Sequence, residues 1–431
     1  MASLAIWRRV ICGLLLSALL VGVAPASSTQ VPAAQAAGGS SGIVCTTNPS
    51  ATFTLTTRTG YINLADGNVI YMWGYSEGSK PFQHPGPVLC VNEGDTVTIV
   101  LHNTLPEDAS IIFPGQSGVL AGGAPSQPQF DTGGNLVSLT NVAAKNNGSV
   151  TYSFVADEPG TYLYLSGTNP QVQVQMGLFG ALVVRPAGQP DWAYNRADTQ
   201  FNPNFEYIAL LSEIDPLLHQ AVESGQTYNV AQYRARYFML NGRTFPDTIA
   251  PNSATWVPNQ PYGSLVRIRP LDAVSNPLPG LVRYLSVGPE IYPFHPHGNN
   301  GRMIARDGRV LEGPAAQDTS FEKFSIPVGP GQTWDALISW IDLEGYDPVI
   351  NPVPVIIPGE QNAAFGPWYS GSPYLGGQEP LPPGTITYNQ CGEYYHLAHN
   401  HNLSQLMAWG VVNSGQVTWT RIDPPLPNNC P

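Results

Sequence analysis

Thr96-Val97-Thr98-Ile99-Val100-Leu101 alternates polar and apolar side chains, which puts Val97, Ile99 and Leu101 on one face of an extended strand. Val150-Thr151-Tyr152-Ser153-Phe154 repeats the device, and Gly180-Ala181-Leu182-Val183-Val184 reads as a continuous apolar strand. Asp66-Gly67 and Asp307-Gly308 have the chemistry of hairpin turns. Only Ile214 to Ser224 suggests a helix, and a short one. Many short strands at this spacing predict an all-β chain of sandwiches or barrels.

Composition agrees. Charged residues are 11% of the chain, while 44 glycines and 42 prolines punctuate it. Hydrophobic residues at 42% supply ample core, so disorder is a poor reading. The net charge of −12, with three lysines, argues against nucleic-acid or anionic-membrane partners. Arg8 and Arg9 precede the apolar run Val10 to Val23 and small residues up to Ala36. That pattern predicts a signal peptide over residues 1–36 and an exported protein, extracellular or periplasmic. The run is short for a membrane span, and no later segment qualifies. Cys12 would leave with the signal; Cys45, Cys90, Cys391 and Cys430 remain for an oxidising compartment. Four cysteines allow three connectivities; the expected pairing is Cys45–Cys90 and Cys391–Cys430, each within one domain. Pro186, Gly188, Pro190 and Pro203 bracket a polar stretch that divides a first domain, 45–187, from a second, 204–431. A Pro- and Gly-rich excursion fills 350–384.

Two histidine pairs stand out: His295-Pro296-His297 and His399-Asn400-His401. In extended backbone residues i and i+2 project from one face, about 6.6 Å apart. Two such segments on facing strands would bring four imidazoles together, a set suited to copper, zinc or iron. The alternative is four hydrogen-bonded imidazoles with no metal. His396 is weighed as a further ligand or supporting partner, but a strand-surface histidine is the default reading. Tyr292 reads as a packed core tyrosine. His84, His102 and His219 show no partner pattern and read as ordinary loop or strand residues.

Longer stretches carry a resemblance. Gly86-Pro87-Val88-Leu89-Cys90-Val91-Asn92-Glu93-Gly94-Asp95-Thr96-Val97, followed by Asn103-Thr104-Leu105, resembles the opening cupredoxin domain of multicopper oxidases. Gly160-Thr161-Tyr162-Leu163-Tyr164 and Gln175-Met176-Gly177-Leu178-Phe179-Gly180-Ala181-Leu182 resemble that domain's close. Asn241-Gly242-Arg243 and Pro330-Gly331-Gln332-Thr333-Trp334-Asp335 resemble later strands, and Tyr292 to Gly298 with 394–410 resembles the last copper domain. The resemblance implies two Greek-key β-sandwich domains of cupredoxin type.

It also implies losses. In the family, four histidines from the first domain and four from the last hold a three-copper cluster. Here the first-domain motifs read Ile112-Phe113-Pro114-Gly115 and Leu165-Ser166-Gly167, so that half is gone. His295, His297, His399 and His401 match the other half. Asn400 stands at the thiolate position of the electron-entry copper, and Tyr292 and Gln405 at its two histidines. A blue-copper site needs the thiolate. The expectation is a secreted protein that binds one transition metal, copper before zinc, and is not a four-electron laccase. A copper-dependent oxidoreductase with a small-molecule or metal-ion substrate, and a metal-free extracellular module, are the alternatives. Catalytic residues and oligomeric state stay open.

Overall fold

The computed structural model describes residues 42–298, 300–342 and 394–427. The proposed signal, the 350–384 excursion and the expected Cys391–Cys430 bridge lie outside them.

Two β-sandwiches account for nearly all regular structure. In the first, a four-stranded sheet runs Cys45–Thr46, Val88–Asn92, Phe179–Arg185, Gly160–Leu165. Its partner sheet runs Val69–Glu77, Thr52–Asn63, Thr96–Asn103, Gly148–Val155, with two short strands beyond. Parallel pairs between strands distant in sequence give the crossed connections of a Greek key. The alternation in Thr96–Asn103 decides which side faces inward. Val97, Ile99 and Leu101 are fully buried, opposite Phe154, Tyr152 and Val150 of the antiparallel neighbour. The Cys45–Cys90 disulfide ties the first strand to the second in its sheet.

The second sandwich repeats the plan. One sheet is built on Glu206–Ile214, Gly280–Ser286 and Thr333–Ile338; the other orders Val266–Ile268, Val417–Ile422, Tyr394–Asn400, Tyr292–Pro296, Ile326–Val328. The short helix forms at Pro216–Glu223, with Asp215 accepting from the Leu217 amide and Pro216 filling the first helical position. No helix among the described residues is long and apolar enough to cross a membrane.

The sandwiches meet through a shared apolar cluster in which Leu163, Phe179 and Val183 pack with Leu210, Tyr262 and Leu285. Beside it lies a buried charge network. Arg283 bonds Glu206 at 2.8 Å and the Thr161 hydroxyl at 2.9 Å, while Asp335 accepts from Thr161 and from Tyr194. Burial raises the Asp335 carboxyl; against the same burial, Arg283 and Arg185 hold Glu206 below its usual value. At the rim, Asp307 and Gly308, both at positive φ, make the second sandwich's turn. Gly308 abuts Gly160 of the first: a Cβ on Gly160 would lie 2.9 Å from the Gly308 Cα.

One histidine expectation needs correction. His219 is neither on a loop nor on a strand but on the helix, buried, with Nδ1 on the Tyr71 carbonyl at 2.7 Å. His84 lies on a loop as expected and is fully buried, its ring in edge contact with Phe179. Burial pushes both down, to about 4 and about 3, so they stay neutral in the folded chain.

Candidate metal centre

Strand register explains why the four histidines share a face. Tyr292–Pro296 and Tyr394–Asn400 pair antiparallel with His295 directly opposite His399. The His297 amide donates to the Leu397 carbonyl and the His401 amide to Pro293, so the alignment runs past both strand ends. A side-chain period of two then puts all four imidazoles on one side. Ring centroids lie 4.7 Å apart for His295 and His297, 5.0 Å for His297 and His399, and 5.3 Å for His295 and His401.

Backbone carbonyls orient two of the rings. His295 Nδ1 lies 2.6 Å from the Phe324 carbonyl and His399 Nδ1 2.9 Å from its neighbour's, Asn400. A carbonyl only accepts, so each Nδ1 carries the proton and the neutral ring keeps a bare Nε2. Metal-binding imidazoles are held this way. The Nε2 atoms of His297 and His399 face each other at 3.0 Å. Burial and then the neighbouring His399, His295 and His401 push His297 down to about 4; burial lowers His399 as well. These two rings are therefore neutral at pH 7, the form that binds metal. His401 is exposed and opens the cluster to solvent. The rings do not already surround one point: among the described residues no group of three or more His, Cys, Asp or Glu is arranged to hold an ion. Two nitrogens bonded to one ion at about 2.0–2.1 Å stand roughly 3 Å apart, which is the spacing of the His297–His399 pair. The donor set fits a transition metal once the other two rings turn inward.

His396 is a correction. It is buried, not on the strand surface, and its ring packs 4.9 Å from Trp340. Burial and then His297 push it down to about 4.

Two of the three positions matched to the blue-copper site, Asn400 and Gln405, meet in space and carry amides. Asn400 Nδ2 donates to Gln405 Oε1 at 2.6 Å and to Gln416 Oε1 at 2.8 Å, and Gln416 in turn donates to the carbonyls of Ser212 and Met239. All three side chains are buried. Nothing in the sequence motif singles out Gln416, which lies sixteen residues beyond Asn400. The first-domain positions have also closed up. Ile112 and Leu165 exchange backbone hydrogen bonds, and Ser110, Ser138 and Thr168 bond one another beside them. Sulfur alone should not restore the copper. Asn400→Cys protein loaded with copper(II) is expected to show no intense thiolate-to-copper absorption, because Tyr292 and Gln405 supply no imidazole.

Tyr292 is in the core as expected, and beside it stands a residue the sequence did not flag, Glu213. A Cβ on Gly288 would come 1.8 Å from Glu213 Oε2 and 2.4 Å from the Tyr292 hydroxyl, so only glycine admits both. Burial pushes the Glu213 carboxyl up to about 8. The folded chain then keeps a proton that the unfolded chain releases above about 4.5, and stability falls as pH rises from about 4.5 to 8. Glu213→Gln is expected to remove that slope and to stabilise at pH 8 by on the order of a few kcal/mol, read from urea midpoints across pH.

These features define an all-β protein of two cupredoxin-like sandwiches with a histidine face on the second. Comparison with known proteins agrees. Residues 81–189 match the multicopper oxidase family. Laccase abr2 of Aspergillus fumigatus is 29% identical over 205 residues, 44% of this chain and 30% of that protein. L-ascorbate oxidase of Cucurbita maxima is 32% identical over 104 residues, 24% of this chain and 16% of that one. The chain thus spans less than a third of the length of these relatives. The blue copper oxidase of Nitrosomonas europaea superposes with a TM-score of 0.56 at 16% identity, covering 86% of this chain and 85% of that one. Residues 81–189 thus resemble a multicopper oxidase domain, and most of the chain shares the fold of a blue copper oxidase.

Proposed function

We propose that this protein is an exported metal-binding member of the family, taking up one copper ion through His295, His297, His399 and His401. The observation that carries the reading is the antiparallel register, which sets four imidazoles on one face with two Nδ1 protons tied to carbonyls. A bound copper ion would supply Lewis acidity and one-electron redox chemistry at a partly exposed site. The chain's own part is to present neutral imidazoles and fix their tautomers. Four-electron reduction of oxygen is outside its reach on this reading. The first-domain ligand positions hold Ile112, Pro114, Leu165 and Gly167, and the thiolate position is closed by the Asn400–Gln405–Gln416 amides. Residues 1–36 serve as the export signal, and the sandwiches correspond to domains 45–187 and 204–431.

Elemental analysis with electron paramagnetic resonance on protein from the native host, dialysed at neutral pH, tests the proposal. About one equivalent of copper in a nitrogen-ligated signal is expected. One equivalent of zinc would keep the site and change the metal. A second reading, a metal-free module, is favoured by the rings' failure to converge; it requires that added copper(II) is not retained.

A further inference from the structure

Each sandwich sends a buried histidine into the seam with the other. From the first, the His84 amide donates to the Asn259 carbonyl at 2.8 Å, and the Gln83 side chain and Val88 amide both donate to the Tyr262 hydroxyl. The His84 ring lies between two backbones. A Cβ on Gly177 of its own sandwich would come 2.8 Å from Nδ1, and one on Gly242 of the second 2.9 Å from Cδ2. From the second domain, the helix Pro216–Glu223 lays Leu218 into the core of the first sandwich and sets His219 Nδ1 on the Tyr71 carbonyl. His219 is near enough that a charge on it would repel one on His84.

Neither ring has a place for a second proton. Both are buried, and an imidazolium donates from both nitrogens. His84 Nδ1 and Nε2 have no hydrogen-bond partner among the described residues, nor has His219 Nε2. The groups around them do not make up the lack. Arg243, next to Gly242, turns its guanidinium onto the carbonyls of Gln260 and Ala250. The Tyr71 carbonyl, Asp215 and the Gln175 backbone favour a proton on His219, and burial outweighs all three. Asp215 is itself taken up by the Leu217 amide, the Tyr228 hydroxyl and the Arg234 amide, while Glu223 holds the Tyr61 hydroxyl at the surface. Parting the sandwiches would return both rings to water, where each takes its proton near the ordinary value of 6.5.

We propose that His84 and His219 form an acid-sensitive latch: neutral, they let the sandwiches close on one another, and protonated, they hold the seam open. The closed chain takes these protons only near pH 3 and 4. Closure is therefore fully favoured above 6.5 and is lost as pH falls below it. From pH 7 to pH 5 each histidine should raise the open-to-closed ratio about 25-fold, and the two together about 600-fold.

Hydrogen exchange of the full chain, read by mass spectrometry at pH 7 and pH 5 and corrected for the intrinsic pH dependence of amide exchange, tests the latch. Residues 82–88 and 216–223 report the seam; Thr96–Asn103 reports the core of the first sandwich. His84→Leu removes a ring that makes no side-chain hydrogen bond, and His219→Asn keeps an amide donor for Tyr71. Comparing parent and variants cancels what Glu206, Asp335 and Glu213 contribute. The acid-driven opening of the seam is expected to be about 25-fold greater in the parent than in either single variant, and about 600-fold greater than in the double variant. Thr96–Asn103 should stay better protected than the seam at both pH values. An equal acid response in parent and double variant would overturn the proposal. So would a core that opens as far as the seam at pH 5, because the histidines would then govern unfolding of the whole chain. Should a variant fold poorly at pH 7, the parent decides alone, and a seam no more open at pH 5 than at pH 7 sinks the latch.

Discussion

Alanine at both His399 and His401 is expected to abolish copper uptake while leaving the sandwiches folded. His399 touches three other rings of the cluster and supplies one nitrogen of the 3.0 Å pair; His401 supplies the exposed edge. Neither belongs to an apolar core cluster, and both backbone amides stay paired in the sheet region. Uptake should fall from about one equivalent to background. The rise in unfolding temperature on adding copper should vanish with it, since an ion at a hundred times its dissociation constant stabilises by about 2.7 kcal/mol. Full copper retention in the double variant would place the ion elsewhere. Acid should also strip the metal, because protons and copper compete for the same lone pairs. His297, held down to about 4, would be among the last ligands to yield.

Arg283→Met carries the largest expected cost in stability. Its guanidinium is fully buried and bonds Glu206 and Thr161, with Asp335 at 3.4 Å. Methionine fills much of the volume but leaves two buried carboxylates short of their cation, a loss of about 3–5 kcal/mol. Arg185, still 2.6 Å from Glu206, relieves part of it. Urea midpoints at pH 7 measure the change. In the parent chain Glu206 is held below its unfolded value, so its contribution is present above about pH 4.5 and fades as acid protonates it in the fold. The variant should lose that acid dependence. Lys80→Ala, which removes an exposed pair with Glu77, serves as the control and should change little.

The strands were legible because burial follows period-two patterning, as Val97, Ile99 and Leu101 demonstrate. The same geometry made the histidine face legible: HxH in an extended strand leaves both rings on one side. The Cys45–Cys90 bridge followed from keeping each pair local. What stayed hidden depends on distant segments. The Phe324 carbonyl reaches His295 across twenty-nine residues of chain, and Gln416 reaches Asn400 from the turn just ahead of the strand Val417–Ile422. Glu213 sits near the end of a strand that also carries Glu206 and Ser212, and looks like a solvent-facing residue until Gly288 folds over it. His396 is adjacent to the paired histidines in sequence, yet Trp340 covers it. Local pattern carries no information about such covers.

Gly160 and Gly308 touch back to back where the sandwiches meet, and Tyr162 presses on the same spot, 2.2 Å from where a Gly308 side chain would begin. A methyl group at either position would act as a wedge driven into a hinge, tilting one half of the molecule against the other. The closeness of the two halves is thus set by two absent side chains, and alanine at either position should lower the unfolding temperature.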